Sequence, residues 1–487
     1  MSHSNPSFSP EHRGAPRPVD ISYRRVLRIA TPVLVSQLSY TAMGVVDTMM
    51  VGRLGISELG GVGLGNMITW WFLSFFYGVL SVVNTYVAQN LGANRRKGVG
   101  VTLWHGLYLG LVFGAMVTAS AFVAPVAFRL TGADPELTRF ASEYAFIRLL
   151  GGFGLAMFLV SDNFYRGLGR TDVPMWAAWC QVLMNCGLNY LLIFGKFGFP
   201  ELGVQGAALG TVVAQTVVGV GLLVSIFARR VHRRRYLLAR TWRLDLPVLR
   251  TMIAVGLPIG VQFFMEMGGI SLFSALIARL GPAQMAATNA VIQAWSVTFM
   301  AAAALAVTNT TLVGQCLGAR RVEDARSAVR KVMNLGTGLT IIGGVFYFGF
   351  PEALMRLFVE GQDVAELLPY AKPLFGIVVV CLFFDLRFNL LSGALRGAGD
   401  TTFSMVVNVS SVWFVFVPAT ILLLGRWQLV GAWWALAIHV ALMASLLEWR
   451  YRGSRWIEVF MRREEKQAEE RRRRRAAGQS TAEASVR

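Results

Sequence analysis

Three carboxylates stand inside apolar runs of this chain: Asp47, Glu266 and Asp385. An ionisable group at the centre of a membrane-spanning helix costs roughly 2.5–3.5 kcal/mol on insertion scales, so one kept there is a candidate for function. Glu266 follows Pro258 by eight residues and has Gln262 one turn before it, while Asp385 has Asn389 one turn after it. Residues four apart share a helical face, so each carboxylate is presented beside an amide oxygen. Such hard oxygen donors suit a small cation such as sodium, and a carboxylate held away from water can also exchange protons near neutral pH. The residue types leave sodium and protons both open, with a structural hydrogen bond to a neighbouring helix as the plainer alternative.

Asp47 lies fifteen residues after Pro32, on one helical face with Ser36 and Tyr40, a stripe that suits a cavity wall. Its plainer alternative is a position near the membrane interface, satisfied by water and Arg53. Gln181, Asn185 and Asn189 recur at intervals of four, an amide stripe that either faces a substrate or bridges helices, the latter worth about 0.6 kcal/mol per contact. Asn84 and Asn309 read as symmetric packing elements. Arg148 and Arg387 also fall within apolar runs, and Arg387 leaves its helix on a different face from Asp385, where it suits a carboxylate on another helix. His105 and His439 read as hydrogen-bonded interior residues rather than proton carriers, and Asp162, near the cytoplasmic end of its span, as either solvated or paired with Arg166. The Phe, Trp and Met side chains could form a plastic, cation-attracting pocket, although most must face lipid.

The elements that must position these residues are membrane spans. Of the 487 residues 55% are hydrophobic and 15% charged, with a mean hydropathy of +0.52, which excludes an ordinary soluble protein. Apolar runs long enough to cross the hydrocarbon, about 20 residues, recur at 28–52, 62–90, 101–128, 145–165, 173–195, 203–228, 249–277, 284–315, 332–355, 371–394, 403–425 and 429–450. The fold class is therefore an all-α polytopic membrane protein with twelve transmembrane helices. The net charge of +19 resides in tails and short loops, which favours membrane topology over nucleic-acid binding. Alternate loops carry nineteen Lys and Arg residues against eight, placing the first set and both termini in the cytoplasm.

An internal repeat organises the spans. "TPVLVSQLSYTAMGVVDTMMVGRLG" from Thr31 is answered by "LPIGVQFFMEMGGISLFSALIARLG" from Leu257, with Pro32 and Pro258, Gln89 and Gln315, and Gly92 and Gly318 each 226 apart. "RGLGRT" at Arg166 recurs as "RGAGDT" at Arg396, 230 later. Two six-helix lobes thus form a parallel repeat about an axis along the membrane normal, the geometry by which secondary transporters rock around a central site. The expected division is a disordered cytoplasmic tail over 1–23, an N-terminal lobe over 24–228, a basic connector over 229–248, a C-terminal lobe over 249–452 and a charged cytoplasmic tail over 453–487. The tail run from Arg462 to Arg475 reads as a solvated helix or disordered segment able to lean on anionic lipid. Cys180, Cys186, Cys316 and Cys381 lack metal or redox spacing, no removable signal peptide is visible, and no HExxH, GxSxG or phosphate-cradling motif marks an enzyme.

"ATPVL" at Ala30, "VDTMMVG" at Val46, "VAQNLGA" at Val87, "NYLLIFGKFGFPELGVQGAALGT" at Asn189 and "LRGAGDTT" at Leu395 together resemble the multidrug and toxic compound extrusion (MATE) family, in its NorM-type bacterial branch. The resemblance covers residues 24 to 450. It implies two lobes opening alternately to export bulky, often cationic compounds in exchange for sodium or protons. By resemblance, Glu266 and Asp385 hold the driving cation, sodium or a proton, and Asp47, Asn185 and Asn189 match polar positions of the family; with Gln262 and Asn389, placed by helical spacing, these last three are expected to line the substrate or proton pathway. Cys381, one turn before Asp385, departs from the aromatic residue found there in some relatives.

The expected protein is a multi-pass bacterial inner-membrane antiporter, not an enzyme. Its partners are small organic substrates and membrane lipids, without nucleic acid; it needs no cofactor beyond the transported ion and works as a monomer. The alternatives are a lipid-linked oligosaccharide flippase, for which no intramembrane arginine cluster is visible, and more remotely an intramembrane enzyme.

Overall fold

The computed structural model describes residues 19–129, 134–356 and 363–484, so most of the expected tail over 1–23 lies outside the described residues. Helix α1 (Tyr23–Val51) starts where Ser22 Oγ accepts the Arg25 N–H and contains Pro32. It is followed by α2 (Ile56–Leu80), α3 (Val82–Gly92), α4 (Arg96–Ser120), α5 (Ala124–Arg129), α6 (Pro135–Leu150), α7 (Gly152–Gly167), α8 (Asp172–Phe194) and α9 (Gly203–Ala228). A connector containing α10 (Arg230–Arg235) leads to α11 (Leu246–Ala278), which holds Pro258. Then come α12 (Pro282–Gly318), α13 (Val322–Gly349), α14 (Pro351–Arg356), α15 (Asp363–Ala398), α16 (Thr401–Ser411), α17 (Val417–Arg452) and α18 (Arg455–Ala484). The described chain is helical, without strands.

Among the described residues ten helical segments are long and apolar enough to cross a membrane, and α6 with α7, bent by 55°, makes an eleventh when the pair is taken as one span. The bend falls at Gly151, so the span read at 145–165 is two helices meeting at an angle. The apolar segment Thr401–Arg452 is 52 residues long, more than twice what one crossing needs, and its backbone leaves helical geometry at Trp427 and Gln428. It therefore makes two passes, which gives the expected twelve.

Each lobe owns a core. One is built on residues such as Leu80, Val83, Leu103, Val160, Phe164 and Ile226, the other on Phe375, Val378, Leu391, Trp433, Leu447 and Trp456. The lobes meet as a two-fold pair, α1 against α12 and α2 against α11, with α3 against the end of α12.

On the face where the Arg-rich turns lie, this seam is closed by reciprocal caps. Thr85 donates to the Arg396 carbonyl at 3.1 Å and Gln89 to that of Gly397 at 2.8 Å. Across the repeat, Thr311 donates to the Arg166 carbonyl at 3.2 Å and Gln315 to that of Gly167 at 3.1 Å. Each lobe thereby donates to carbonyls at a helix end of the other, where the last carbonyls lack the i+4 N–H of a continuing helix; the Arg166 and Arg396 carbonyls also accept from Gly169 and Gly399 in their own turns. Gly92 lies against the Gln315 backbone and Gly318 against the Gln89 backbone, where a Cβ would not fit. Asn84 accepts from Thr311 at 3.1 Å and Asn309 donates to the Leu390 carbonyl at 3.0 Å, both within the packed interior.

The connector and the C-terminal segment are both docked. Trp104 donates to the Leu238 carbonyl, Tyr108 to that of Trp242, and the backbone N–H of Asp245 to His105 Nε2. Helix α18 buries Trp456 and Phe460 completely or nearly so, just ahead of the run from Arg462 that reads as a solvated helix or disordered segment.

Candidate functional site

In the C-terminal lobe, α11 carries Gln262 and Glu266 toward α16. Glu266 Oε2 accepts from Asn408 Nδ2 at 3.3 Å, and that amide also lies 3.4 Å from Met443 Sδ. Asn408 Oδ1 is buried with no partner. On α15, Asp385 Oδ1 accepts from Asn389 Nδ2 at 3.0 Å, as does the Asp385 carbonyl. Gln262 and Asp385 are buried and Glu266 half-buried. Glu266 and Asp385 lie within each other's electrostatic field, and Arg396 lies within that of Glu266. The Arg396 guanidinium stands 5.7 Å from the Phe263 ring and donates through Nε to the Ser392 carbonyl, without an ion-pair partner among the described residues. Beside this group, Ser411 Oγ and His439 Nδ1 are 2.7 Å apart, at the start of a π-helical turn over 412–416.

The N-terminal lobe builds a different arrangement. Asp47 Oδ1 accepts from Asn189 Nδ2 at 2.6 Å; Asn189 also approaches Asn185 Oδ1 at 3.4 Å, and Asn185 donates to Thr211 Oγ1 at 3.1 Å. The two asparagines are fully buried and tie α8 to α1 and α9. Arg148 lies within electrostatic reach of Asp47, and its Nε is buried without a partner, like Asn189 Oδ1 and Gln181 Oε1. Trp71 crosses the seam to donate at 2.9 Å to the carbonyl of Phe264, two residues before Glu266, and to stack on its ring.

The residues singled out from sequence thus form two clusters. Glu266 and Asp385 share one, with Gln262 and Asn389 on the same two helices, while Asp47, Asn185 and Asn189 form a hydrogen-bonded set in the other lobe. Arg387 stands 3.6 Å from Glu448 on α17. Asp162 and Arg166 make a buried ion pair at 2.7 Å.

Asn408 escaped the sequence reading. The signal was present, an amide in the apolar run "FSMVVNVSSV" comparable to those of α8, but only the tertiary fold shows that it meets Glu266. Carboxylate and amide oxygens such as those of Glu266, Asp385 and Asn408 are hard donors of the type a small cation takes. A separate cleft of about 320 Å³ on the basic face, lined by Arg25, Asn94, Arg96, Arg235 and Gln315, lies at the turns rather than at these carboxylates.

A family model described as MatE matches residues 32–191 and 258–422, so its two matches begin at Pro32 and Pro258, the prolines that register the repeat. A "Probable multidrug resistance protein NorM" of Rhizobium meliloti (strain 1021) is 29% identical over 435 residues, covering 88% of this chain and 93% of its own length. A protein of the same name from Thermotoga maritima is 27% identical over 438 residues, covering 89% and 93%. The crystal structure of a eukaryotic MATE transporter, AtDTX14, shares the fold with a TM-score of 0.80 at 20% identity, over 91% of this chain and 98% of that one.

Proposed function

The chain belongs to the MatE family of membrane transporters, and from that premise we propose that it is a secondary active antiporter exporting bulky, cationic organic compounds in exchange for sodium ions or protons. The observation that carries this reading is the set of oxygens on α11, α15 and α16: Glu266 accepts from Asn408, whose own buried Oδ1 has no partner among the described residues, and Asp385 is held by Asn389, with Arg396 in electrostatic reach of Glu266. Two carboxylates against one guanidinium leave one negative charge, which one monovalent cation neutralises.

Arg396 balances Glu266 while the cation is absent. An arriving sodium ion or proton competes for the same oxygens, and with them for the charge that holds a cationic cargo. Asn408 and Asn389 keep the two carboxylates aimed as the occupant changes. Asp47, held by Asn189 and Asn185, shapes the wall contributed by the other lobe. Because ion and cargo each favour one arrangement of the lobes, each lowers the affinity for the other, and the exchange is reciprocal. The basic face lies in the cytoplasm, where short loops retain Lys and Arg, which places both termini on the inner side of the bacterial cytoplasmic membrane. A monomer suffices, since one chain supplies both lobes.

The test is efflux of a fluorescent organic cation from proteoliposomes, first under a sodium gradient and then under a proton gradient, with Asp385→Asn alongside. Flux driven by either ion and lost in Asp385→Asn is expected, and the effective gradient identifies the ion. No flux under either gradient, or full flux in Asp385→Asn, overturns the reading.

A further inference from the structure

Helix α18 is rooted in one lobe and reaches the other. Its root is apolar: Trp456 and Phe460 sit in the core of the C-terminal lobe, Trp456 Nε1 donates to the Tyr451 carbonyl at 2.9 Å, and Arg326 stands 6.0 Å from the Trp456 ring. One turn further on, Arg463 donates to the carbonyls of Ala398 at 2.7 Å and Gly399 at 3.3 Å. These are the next two carbonyls after those of Arg396 and Gly397, which Thr85 and Gln89 cap from the N-terminal lobe. A cation is well placed at a helix C-terminus, where the exposed carbonyls and the macrodipole both favour it.

The same guanidinium stands 5.5 Å from the ring of Tyr86, on α3 of the opposite lobe. Its neighbour Glu464 pairs with Arg95, on the turn after α3, at 2.6 Å, with a second contact at 3.0 Å. The root and the carbonyls of Ala398 and Gly399 belong to one lobe, Tyr86 and Arg95 to the other. Parting the lobes on this face would break the contacts of α18 to Tyr86 and Arg95 together with the Thr85 and Gln89 caps.

We propose that α18 is a latch on the closed basic face, one that disengages from Arg95 and Tyr86 each time the lobes part there. The proposal rests on the alternating-access reading above. The latch is one-sided. The repeat-related turn at Arg166–Gly169 is capped by Thr311 and Gln315 but, among the described residues, has no counterpart of α18 bridging it to the other lobe; Arg25 of α1 approaches Gly169 instead.

The experiment measures the distance between spin labels at Lys97→Cys and Glu323→Cys, exposed repeat-related positions on α4 and α13, in full-length protein whose four native cysteines are replaced. In the parent a short distance dominates, with a minor longer one. Glu464→Arg is expected to raise the share of the longer distance about two- to five-fold, the weight of a half-exposed ion pair. Arg463→Ala raises it further, and the exchange Arg95→Glu/Glu464→Arg returns it to the parent value. A share unchanged in Glu464→Arg, in Arg463→Ala and in a chain ending at Gly453 overturns the latch while leaving alternating access intact. A single fixed distance in the parent under every ion gradient overturns both.

Discussion

The two lobes share a topology and a repeat but not their charges. Where the N-terminal lobe has Asp47, the 226-residue offset leads to Phe273; where the C-terminal lobe has Glu266, it leads back to Tyr40. Asp385 and Asn408 correspond, at the later offset of 230, to Leu155 and Ala178. The arginines that do correspond, Arg166 and Arg396, are used in opposite ways. Arg166 is neutralised within its own helix by Asp162 at 2.7 Å, whereas Arg396 remains available to Glu266. The difference teaches that the repeat keeps backbone and seam while the partners of this arginine pair diverge: Arg166 is closed on Asp162, and Arg396 is left without an ion-pair partner among the described residues.

The largest effect should come from opening the closed pair. Asp162→Asn leaves the Arg166 guanidinium buried without its carboxylate, a loss of about 3–5 kcal/mol, read as a large drop in thermal unfolding temperature in detergent. Glu266→Gln should leave stability far less changed, because Arg396 retains the Ser392 carbonyl and the Phe263 ring. Its cost appears in transport instead: loss of a site charge worth roughly 3 kcal/mol corresponds to about a hundredfold lower coupled flux. Equal destabilisation by the two substitutions, with flux retained in Glu266→Gln, would erase the distinction between the lobes.

Much of this contrast was legible in the sequence. Intramembrane carboxylates are few, and hydrocarbon makes each conspicuous, so Asp47, Glu266 and Asp385 stood out without any structure. The i, i+4 rule placed Asn389 beside Asp385 because that contact lies within one helix. Asn408 was not found, because its partner is 142 residues away and helical periodicity carries no information about which helices are neighbours. The same limit hid the seam: Gln89 and Gln315 were visible as repeat partners, but only packing shows that each caps the other lobe. The run from Arg462 to Arg475 reads as a solvated helix or disordered segment because its charges dominate the count; the anchor, Trp456 and Phe460, precedes that run by less than two turns and is visible only in the packing.

The seam offers a finer comparison, between two halves of one symmetric device. Gln315→Ala and Gln89→Ala each remove a cross-lobe donor from a buried carbonyl, worth about 1–2 kcal/mol. The Gln89 side is backed by Arg463 on the adjoining carbonyls, and the Gln315 side is not. Gln315→Ala should therefore raise the population parted on the basic face more than Gln89→Ala, measured by the same spin-label distance. Removing α18 after Gly453 should make the two substitutions equivalent. Identical effects in the full-length chain would mean that Arg463 adds nothing to the seam.

The smallest effect expected concerns the coverings of the basic face, which also differ between lobes. The C-terminal lobe is covered by α18 through Trp456, Phe460 and the bonds of Arg463 to two carbonyls, the N-terminal lobe by the connector through a buried imidazole. His232 packs among the rings of Phe164, Tyr165 and Tyr236. Burial first, then the charges of Arg229, Arg170 and Arg235, push its pKa down to about 4. An unfolded histidine titrates near 6.5, so between these values the released connector binds a proton that the docked one refuses, and docking weakens as pH falls. Above about pH 6.5 the group is neutral in both states and has no such effect. Limited proteolysis within the Arg-rich connector should therefore accelerate between pH 7 and pH 5, and His232→Phe, which keeps a ring without a proton site, should flatten that rise. A profile as steep in His232→Phe as in the parent would assign the pH response to another group and leave the connector's docking indifferent to the imidazole.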